Sequence, residues 1–136
     1  MEIEVFVLCD AATQWAGKLN ILGAFDTIHA RQFPAIHHQC AIALRIRFEK
    51  IEEGEHKVRI TMVNADGVPV LPGLDGNVKV QPAPQISSVC ANMVLNLARV
   101  QFKEPGQYSV DLAIDGRHER SIPLRVLSMP QDPISS

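Results

Sequence analysis

Aromatic residues are scarce in this 136-residue chain: one tryptophan, one tyrosine and five phenylalanines, 5% in all. Stacking platforms for single-stranded nucleic acid need more of them, and a formal net charge of −2 supplies no basic surface for a phosphate backbone. A nucleic-acid partner is therefore not expected. Long apolar runs are absent as well, none approaching the ~20 residues of a membrane-spanning helix. The opening MEIEVFVLCD carries Glu2 and Glu4 where a secretory leader would be basic, so neither export nor a membrane partner is expected.

Cysteine is limited to three, an odd number, each beside apolar residues. That argues against a disulfide framework. It favours a reduced, cytoplasmic chain in which Cys9, Cys40 and Cys90 serve as small core hydrophobes. No GxSxG, HExxH, GxGxxG or GxxxxGKS/T pattern occurs, and carboxylates stand mostly singly or in the solvated turn EKIEEGE at 49–55. No catalytic residue, cofactor or metal follows from the sequence, which lowers the odds of an enzyme without excluding one.

Helical periodicity is missing too, and a period of two stands in its place. CAIALRIRF puts Cys40, Ile42, Leu44, Ile46 and Phe48 on one face and Arg45 and Arg47 on the other. HKVRITMVN sets His56, Val58, Ile60 and Met62 against Lys57, Arg59 and Thr61, and YSVDLAI sets Tyr108, Val110, Leu112 and Ile114 against Ser109 and Asp111. Alternation of this kind marks half-buried antiparallel strands. Turn chemistry agrees: Asp-Gly pairs close NADG at 64–67 and IDG at 114–116, and EPGQ at 104–107 bends through Pro-Gly.

Strands are expected near 3–9, 18–28, 40–48, 56–63, 68–71, 89–102, 108–114 and 120–127. In ANMVLNLARVQF the parity of Met93, Leu95 and Leu97 is not that of Val100 and Phe102, so a bulge near 97–99 or a change of sheet is expected. Pro123 cannot donate to a ladder, which predicts an edge for 120–127. The stretch 72–85 reads as irregular, with only NVKV able to pair. An apolar fraction of 46% over this length suits one domain at 1–127 with a loosely docked tail at 128–136.

Such a pattern predicts an all-β fold, a single antiparallel β-sandwich of about 7–9 strands without an inter-sheet disulfide. FKEPGQYSVDLAIDG sharpens it. A Pro-Gly corner, a tyrosine opening the next strand and an Asp-Gly hairpin together resemble the tyrosine corner of immunoglobulin-like sandwiches. That resemblance implies a phenol bonded back to corner backbone and a ring packed inside. Val110 stands where antibody domains carry a cysteine, so the core relies on aliphatic packing.

The succession VLCDAATQWAGKLNILGAFD, FPAIH, GEHKVRI, EPGQYSVDLAIDG and IPLRV resembles, over residues 1–127, a family of small bacterial proteins catalogued only as a domain of unknown function. The resemblance implies a single sandwich domain and a bacterial source. It brings no activity and no site residues.

Candidate chemistry is thin. In LCDAATQW, Cys9 could act as a nucleophile only with a basic partner such as His29 or His37 brought beside it, and its parity with Ile3, Val5 and Val7 points inward. Asp10 and Thr13 suit a turn, and Trp15 suits an end cap or an exposed contact anchor. A connecting loop is the expected structure. His37, His38 and Cys40 in HHQC are metal donors, but neighbouring residues of an extended chain diverge and no second cluster exists. His29, His56 and His118 stand alone and suit strand ends or surface better than a general base. A hairpin centred near residue 52 would set Arg47 opposite Lys57 and Arg45 opposite Arg59, a basic face needing screening, Asp111 or an acidic partner.

These readings lead to a non-catalytic module that binds another protein or its own copy. Trp15, Asp10, Arg45, Arg47, Lys57 and Arg59 are its candidate contact residues, and second-face apolar residues such as Phe6, Leu8 and Val94 are candidates for an interface. The alternative is a small-molecule binder or unrecognised hydrolase with a site in loops at one end. That requires Asp10, Trp15, His37 and His38 to converge in a pocket.

Overall fold

Ile42, Leu44, Ile46 and Phe48 are each at most 1% exposed, and so are Val58, Ile60, Val110 and Leu112. The period of two has put every second side chain of three strands into one core. The computed structural model describes residues 1–130 and contains nine strands. They are β1 (Glu2–Trp15), β2 (Lys18–Phe25), β3 (Thr27–Ala30), β4 (Ala35–Glu49), β5 (Gly54–Asn64), β6 (Leu74–Val80), β7 (Ser88–Phe102), β8 (Gly106–Ile114) and β9 (Arg117–Ser128). A 3-10 turn at Lys50–Glu52 is the only helical element among the described residues. Two sheets, β2-β1-β4-β7 and β3-β9-β8-β5-β6, enclose the core as a β-sandwich. The three cysteines are free, so no disulfide joins the sheets.

Several turns form as their residues dictate. Asp115 and Gly116 both take positive φ (54° and 79°) and close the β8–β9 hairpin with Ile114 opposite Arg117. The Asn64 side chain accepts the amides of Asp66 and Val68, each at 2.9 Å. Tyr108 donates its hydroxyl to the Glu104 carbonyl at 2.6 Å, and its ring meets Phe102 edge-on at 5.0 Å. A single buried phenol thereby ties the β7–β8 corner to the core.

The strands expected at 40–48 and 56–63 do not form a hairpin. β4 pairs with β1 and β7, whereas β5 pairs with β6 and β8 in the other sheet. Alternation reveals which side of a strand is buried but not which strand lies beside it, and the link around Lys50–Glu52 is long enough to cross the ~10 Å between sheets. The same limit divides the strand expected at 18–28. β2 stays with β1, the chain changes sheet at Asp26, and β3 joins β9 in a parallel pairing within an otherwise antiparallel structure.

Three smaller expectations also change. Residues 68–71 make only a bridge, Val63 to Pro69, and β6 extends well beyond NVKV. β9 is not an edge strand, since it lies between β3 and β8. Pro123 is accommodated because β3 pairs only with Arg125–Ser128 and stops short of it. Near 97–99 the parity does break, at Arg99 with φ 54°, but no residue is inserted. The facing stretch of β4 breaks parity as well: His38 and Gln39 are both exposed while Ala35 and Cys40 are buried, so the register holds on either side. At the C-terminal end, Ser128 pairs with Ala30 and the Met129 amide donates to the Ala30 carbonyl at 2.7 Å. The loosely docked tail otherwise falls largely at 131–136, outside the described residues.

Candidate interaction surface

The first strand carries a bulge that sequence parity did not reveal. Ile3 pairs with Ile46 and Val5 with Arg45, consecutive residues on β4, so Glu4 is the extra residue. Beyond it the faces exchange. Phe6 and Leu8 enter the core, while Val7 and Cys9 turn to the outer face of the four-stranded sheet. The expectation that Phe6 and Leu8 form a second-face interface, with Cys9 facing the core, is thereby reversed.

Glu4 itself points outward and lies between two arginines. Its Oε1 accepts Arg45 Nε at 2.9 Å and its Oε2 accepts Arg47 Nε at 2.7 Å. Arg45 also donates to Asn92 Oδ1 (3.0 Å) and Arg47 to Ser88 Oγ (3.1 Å). The bond from Arg47, then those from Cys90 and Arg45, hold the Glu4 carboxyl down at about 2. Cys90 belongs to this polar group rather than to the core. Its Sγ donates to Glu4 Oε1 at 3.2 Å, and desolvation followed by the Glu4 carboxylate raises its pKa against the opposing pull of the arginines.

LCDAATQW is strand, not loop. Residues 10–15 continue β1 and pair with β2 as a two-stranded arm closed by Ala16 (φ 51°) and Gly17 (φ 76°), both in the left-handed region of a type I′ turn. The arm bends where Asp10 faces Gly23. Gly23 has φ 68°, a left-handed conformation that favours glycine, and the Asp10 carboxylate fills the space beside it, with Oδ2 2.5 Å from where a Cβ would sit. Past the bend, Ala12 and Leu19 pack with Cys9, Ala41, Ala43 and Val94 on the sheet's outer face. Asn92 Nδ2 fastens the tip by donating to the Gly17 carbonyl at 3.1 Å, while its Oδ1 accepts Arg45. The arm thus folds over the sheet and is pinned to the Glu4–arginine group. Left in water on it are Trp15 (79% exposed), Leu22 (69%) and Ile21 (40%). A groove of about 370 Å³ runs along Ala11–Thr13 and Asn20–Leu22.

The other sequence candidates are dispersed. Arg59 bonds both oxygens of Asp75 at 2.9 Å, and the Lys57 amide donates to Asp115. These two residues belong to the five-stranded sheet and Arg45 and Arg47 to the four-stranded one, so no arginine stands opposite Lys57 or Arg59 as a hairpin would require. Asp111, offered as a relieving charge, accepts Ser109 instead. The sequence signal for the true counter-charge was present in Glu4, two residues from the Glu2–Arg47 pair, but only the bulge makes it reach both arginines.

Nothing activates Cys9. Its Sγ donates to the Ala41 carbonyl at 3.6 Å and burial raises its pKa; Cys40 is pushed up to about 11 by the same cause. Cys40 enters the core while His38 is exposed, and no group of three or more His, Cys, Asp or Glu that could hold a metal occurs among the described residues. His37 lies against Phe25, ring centroids 5.7 Å apart. None of the five grooves described on the surface is lined by Trp15, Asp10, His37 or His38. The convergence required of a loop-built ligand site is not found.

His56, which sequence reasoning left as an isolated strand end, closes the opposite seam. Nδ1 meets Asp115 Oδ2 at 2.7 Å, Nε2 meets the Glu52 carbonyl at 2.6 Å, and the ring stacks on Phe48 at 4.7 Å. Both partners only accept, so the ring must donate from both nitrogens, and the Glu52 carbonyl followed by Asp115 raises its pKa. The Glu52 side chain also receives the Met1 ammonium at 2.9 Å.

Residues 4–127 match the family of unknown function DUF6941. The chain belongs to DUF6941. That span runs from the bulge residue Glu4 to the penultimate residue of β9, so it takes in the arm, the arginine group and both sheets. No curated protein matches the chain. DUF6941 membership attaches no reaction to these residues. No helix among the described residues is long and apolar enough to cross a membrane.

Proposed function

We propose that this DUF6941 chain is a non-catalytic protein-interaction module whose contact surface is the outward side of the β1–β2 arm. One observation carries the reading. Trp15 and Leu22 are 79% and 69% exposed on an arm that is itself fastened down by the Asn92–Gly17 bond and the Ala12–Leu19 packing. A large aromatic and a leucine on a fastened backbone leave little main-chain entropy to lose on binding, which is what favours them as interface anchors. Asp10 contributes by filling the bend at Gly23, and Arg45 by orienting Asn92. Lys57 and Arg59 belong to the other sheet and take no part. The order β1-β4-β7 facing β9-β8-β5-β6, with the Tyr108 corner, supports an immunoglobulin-like description of the scaffold. Three free thiols support a cytoplasmic setting, the net charge of −2 argues against nucleic acid, and the bacterial source implied by the resemblance belongs to the same reading.

The test is a Trp15→Ser/Leu22→Ser double variant followed by native mass spectrometry and by cross-linking of the purified protein. Loss of assembled species with an unchanged circular dichroism spectrum is the expected result. Unchanged assembly and unchanged cross-links would overturn the assignment of this surface.

A further inference from the structure

The two sheets expose four edge strands, and three carry a feature that opposes pairing with another chain. β3 is only four residues long, β6 carries Asp75 and Lys79, and β7 is half-buried along Ser88–Leu95 and broken at Arg99. Past Lys18, β2 has none of these before its own break at Gly23. From Leu19 to Phe25 it contains neither charge nor proline, and most of it is exposed.

The hairpin fixes which of its backbone groups are free. A two-residue turn at Ala16–Gly17 closes on a hydrogen-bonded pair, here Trp15 with Lys18. Alternation along the ladder then commits the amides and carbonyls of Lys18, Asn20 and Leu22 to β1 and directs those of Leu19 and Ile21 outward. Gly23 leaves the extended conformation, so the straight, available edge is Lys18–Leu22.

We propose that the occupant of this edge is β2 of a second copy, paired antiparallel about a two-fold axis at Asn20. The inference rests on the reading of the arm as the contact surface and names its partner. In this register Leu19 faces Ile21 of the second copy, joining the outward backbone groups of each, and Lys18 faces Leu22 of the second copy. The charge pattern is compatible with this and no other compensation is needed: Lys18 is the only charged residue of β2, and the register places the two lysines at opposite ends. Thr13, which already accepts from Asn20 Nδ2 at 3.4 Å, extends the central row to Thr13–Asn20–Asn20–Thr13 across the axis. A two-fold at Leu22, which would set Lys18 against Asp26, fails because it needs the left-handed Gly23 inside the ladder. The result is a closed, isologous dimer in which the arms merge into one four-stranded ribbon.

Cross-linking of one introduced cysteine in a Cys90→Ser background, where the remaining Cys9 and Cys40 are buried, reads this register directly under mild oxidation. Asn20→Cys forms a disulfide-linked dimer, because a residue on the axis in a non-hydrogen-bonded pair meets its own copy about 4.5 Å away at Cα. Leu19→Cys and Ile21→Cys do not cross-link alone but do when mixed. Ile21→Pro removes an amide that points away from β1, so it abolishes the dimer while leaving the arm's own ladder; should that variant misfold, Ile21→Lys tests the same edge. A protein that stays monomeric by native mass spectrometry at high micromolar concentration overturns the inference, as does a dimer with a different cysteine pattern. If that dimer is still lost in Trp15→Ser/Leu22→Ser, the arm stands as the contact surface and only the β2 pairing falls.

Discussion

Two apolar clusters in this chain are built on opposite sides of the same sheet, and they use different residues. Between the sheets the fully buried side chains are large: Phe48, Phe102, Leu8, Leu44, Ile60 and Leu124. Beneath the arm they are small: Cys9, Ala41 and Ala43. The spacing explains the contrast. Facing sheets stand ~10 Å apart and need long side chains to fill the gap, whereas a ribbon folded directly onto a sheet needs small ones to come close. One cluster holds the domain together, and the other only seats an arm.

The largest effect that separates them is expected from the core. Phe48→Ala, by guanidinium unfolding, costs about 3–5 kcal/mol, because the ring is fully buried and its site is shared by both sheets. A loss below about 1 kcal/mol would show that the gap between the sheets closes by collapse. Ala43→Leu, which overfills the floor beneath the arm, costs about 1–3 kcal/mol in global stability. Its signature lies elsewhere: amide exchange accelerates in 11–22 while β5 and β8 stay protected, and equal acceleration everywhere would erase the distinction between the clusters.

The His56 seam gives a smaller, pH-dependent effect. Its pKa is raised above the ordinary 6.5 by the Glu52 carbonyl and Asp115, so its contribution is complete below about 6.5 and is lost as pH rises through the folded value. Stability followed from pH ~6 to ~9 should fall in the wild type more than in His56→Gln. Parallel curves would remove the imidazolium from the account. The Met1 ammonium, Glu52, Asp115 and Lys57 surround this site and are present in both proteins.

The smallest effect concerns the polar group on the arm's side of the sheet. Glu4→Gln removes the carboxylate that raises the Cys90 pKa and leaves the arginines that lower it, so the thiol pKa should fall. Below that pKa the thiolate population, and with it the Ellman's-reagent rate, rises by about tenfold for each unit of fall. A rate unchanged by the substitution would mean that burial alone governs this thiol.

The two clusters also differ in how plainly the sequence announced them. Ile42, Leu44, Ile46, Val58, Ile60, Val110 and Leu112 were legible as core because each alternates with polar or small neighbours. Tyr108 and the Asp115–Gly116 turn were legible from local chemistry. The arm was not. Its turn is Ala16–Gly17 rather than an Asn-Gly or Asp-Gly pair, and its bend depends on a long-range fit between Asp10 and Gly23. Strand neighbours were illegible for the same reason: β4 and β5 share a parity, but only the topology assigns them to different sheets. The contact residues Trp15, Asp10, Arg45 and Arg47 follow from loop and charge arguments that the fold replaces: Trp15 and Asp10 lie on the arm, Arg45 bonds the Asn92 that pins it, and Arg47 joins only through Glu4.

The extra residue in β1 has a consequence for insertions and deletions. A strand buried on one face is a two-beat code, and Glu4 is a syncopation that shifts every later beat. Loss of Glu4 would straighten the strand and keep Phe6 and Leu8 on their inward beat. Loss of Val7, three residues further on, would instead turn Phe6 outward or throw the remainder of β1 out of phase with β4, and either way expose what the core needs. A deletion is therefore tolerated at the bulge, where loss of Glu4 or of Val5 equally restores the beat, and is costly beyond it, a rule that no substitution experiment would disclose.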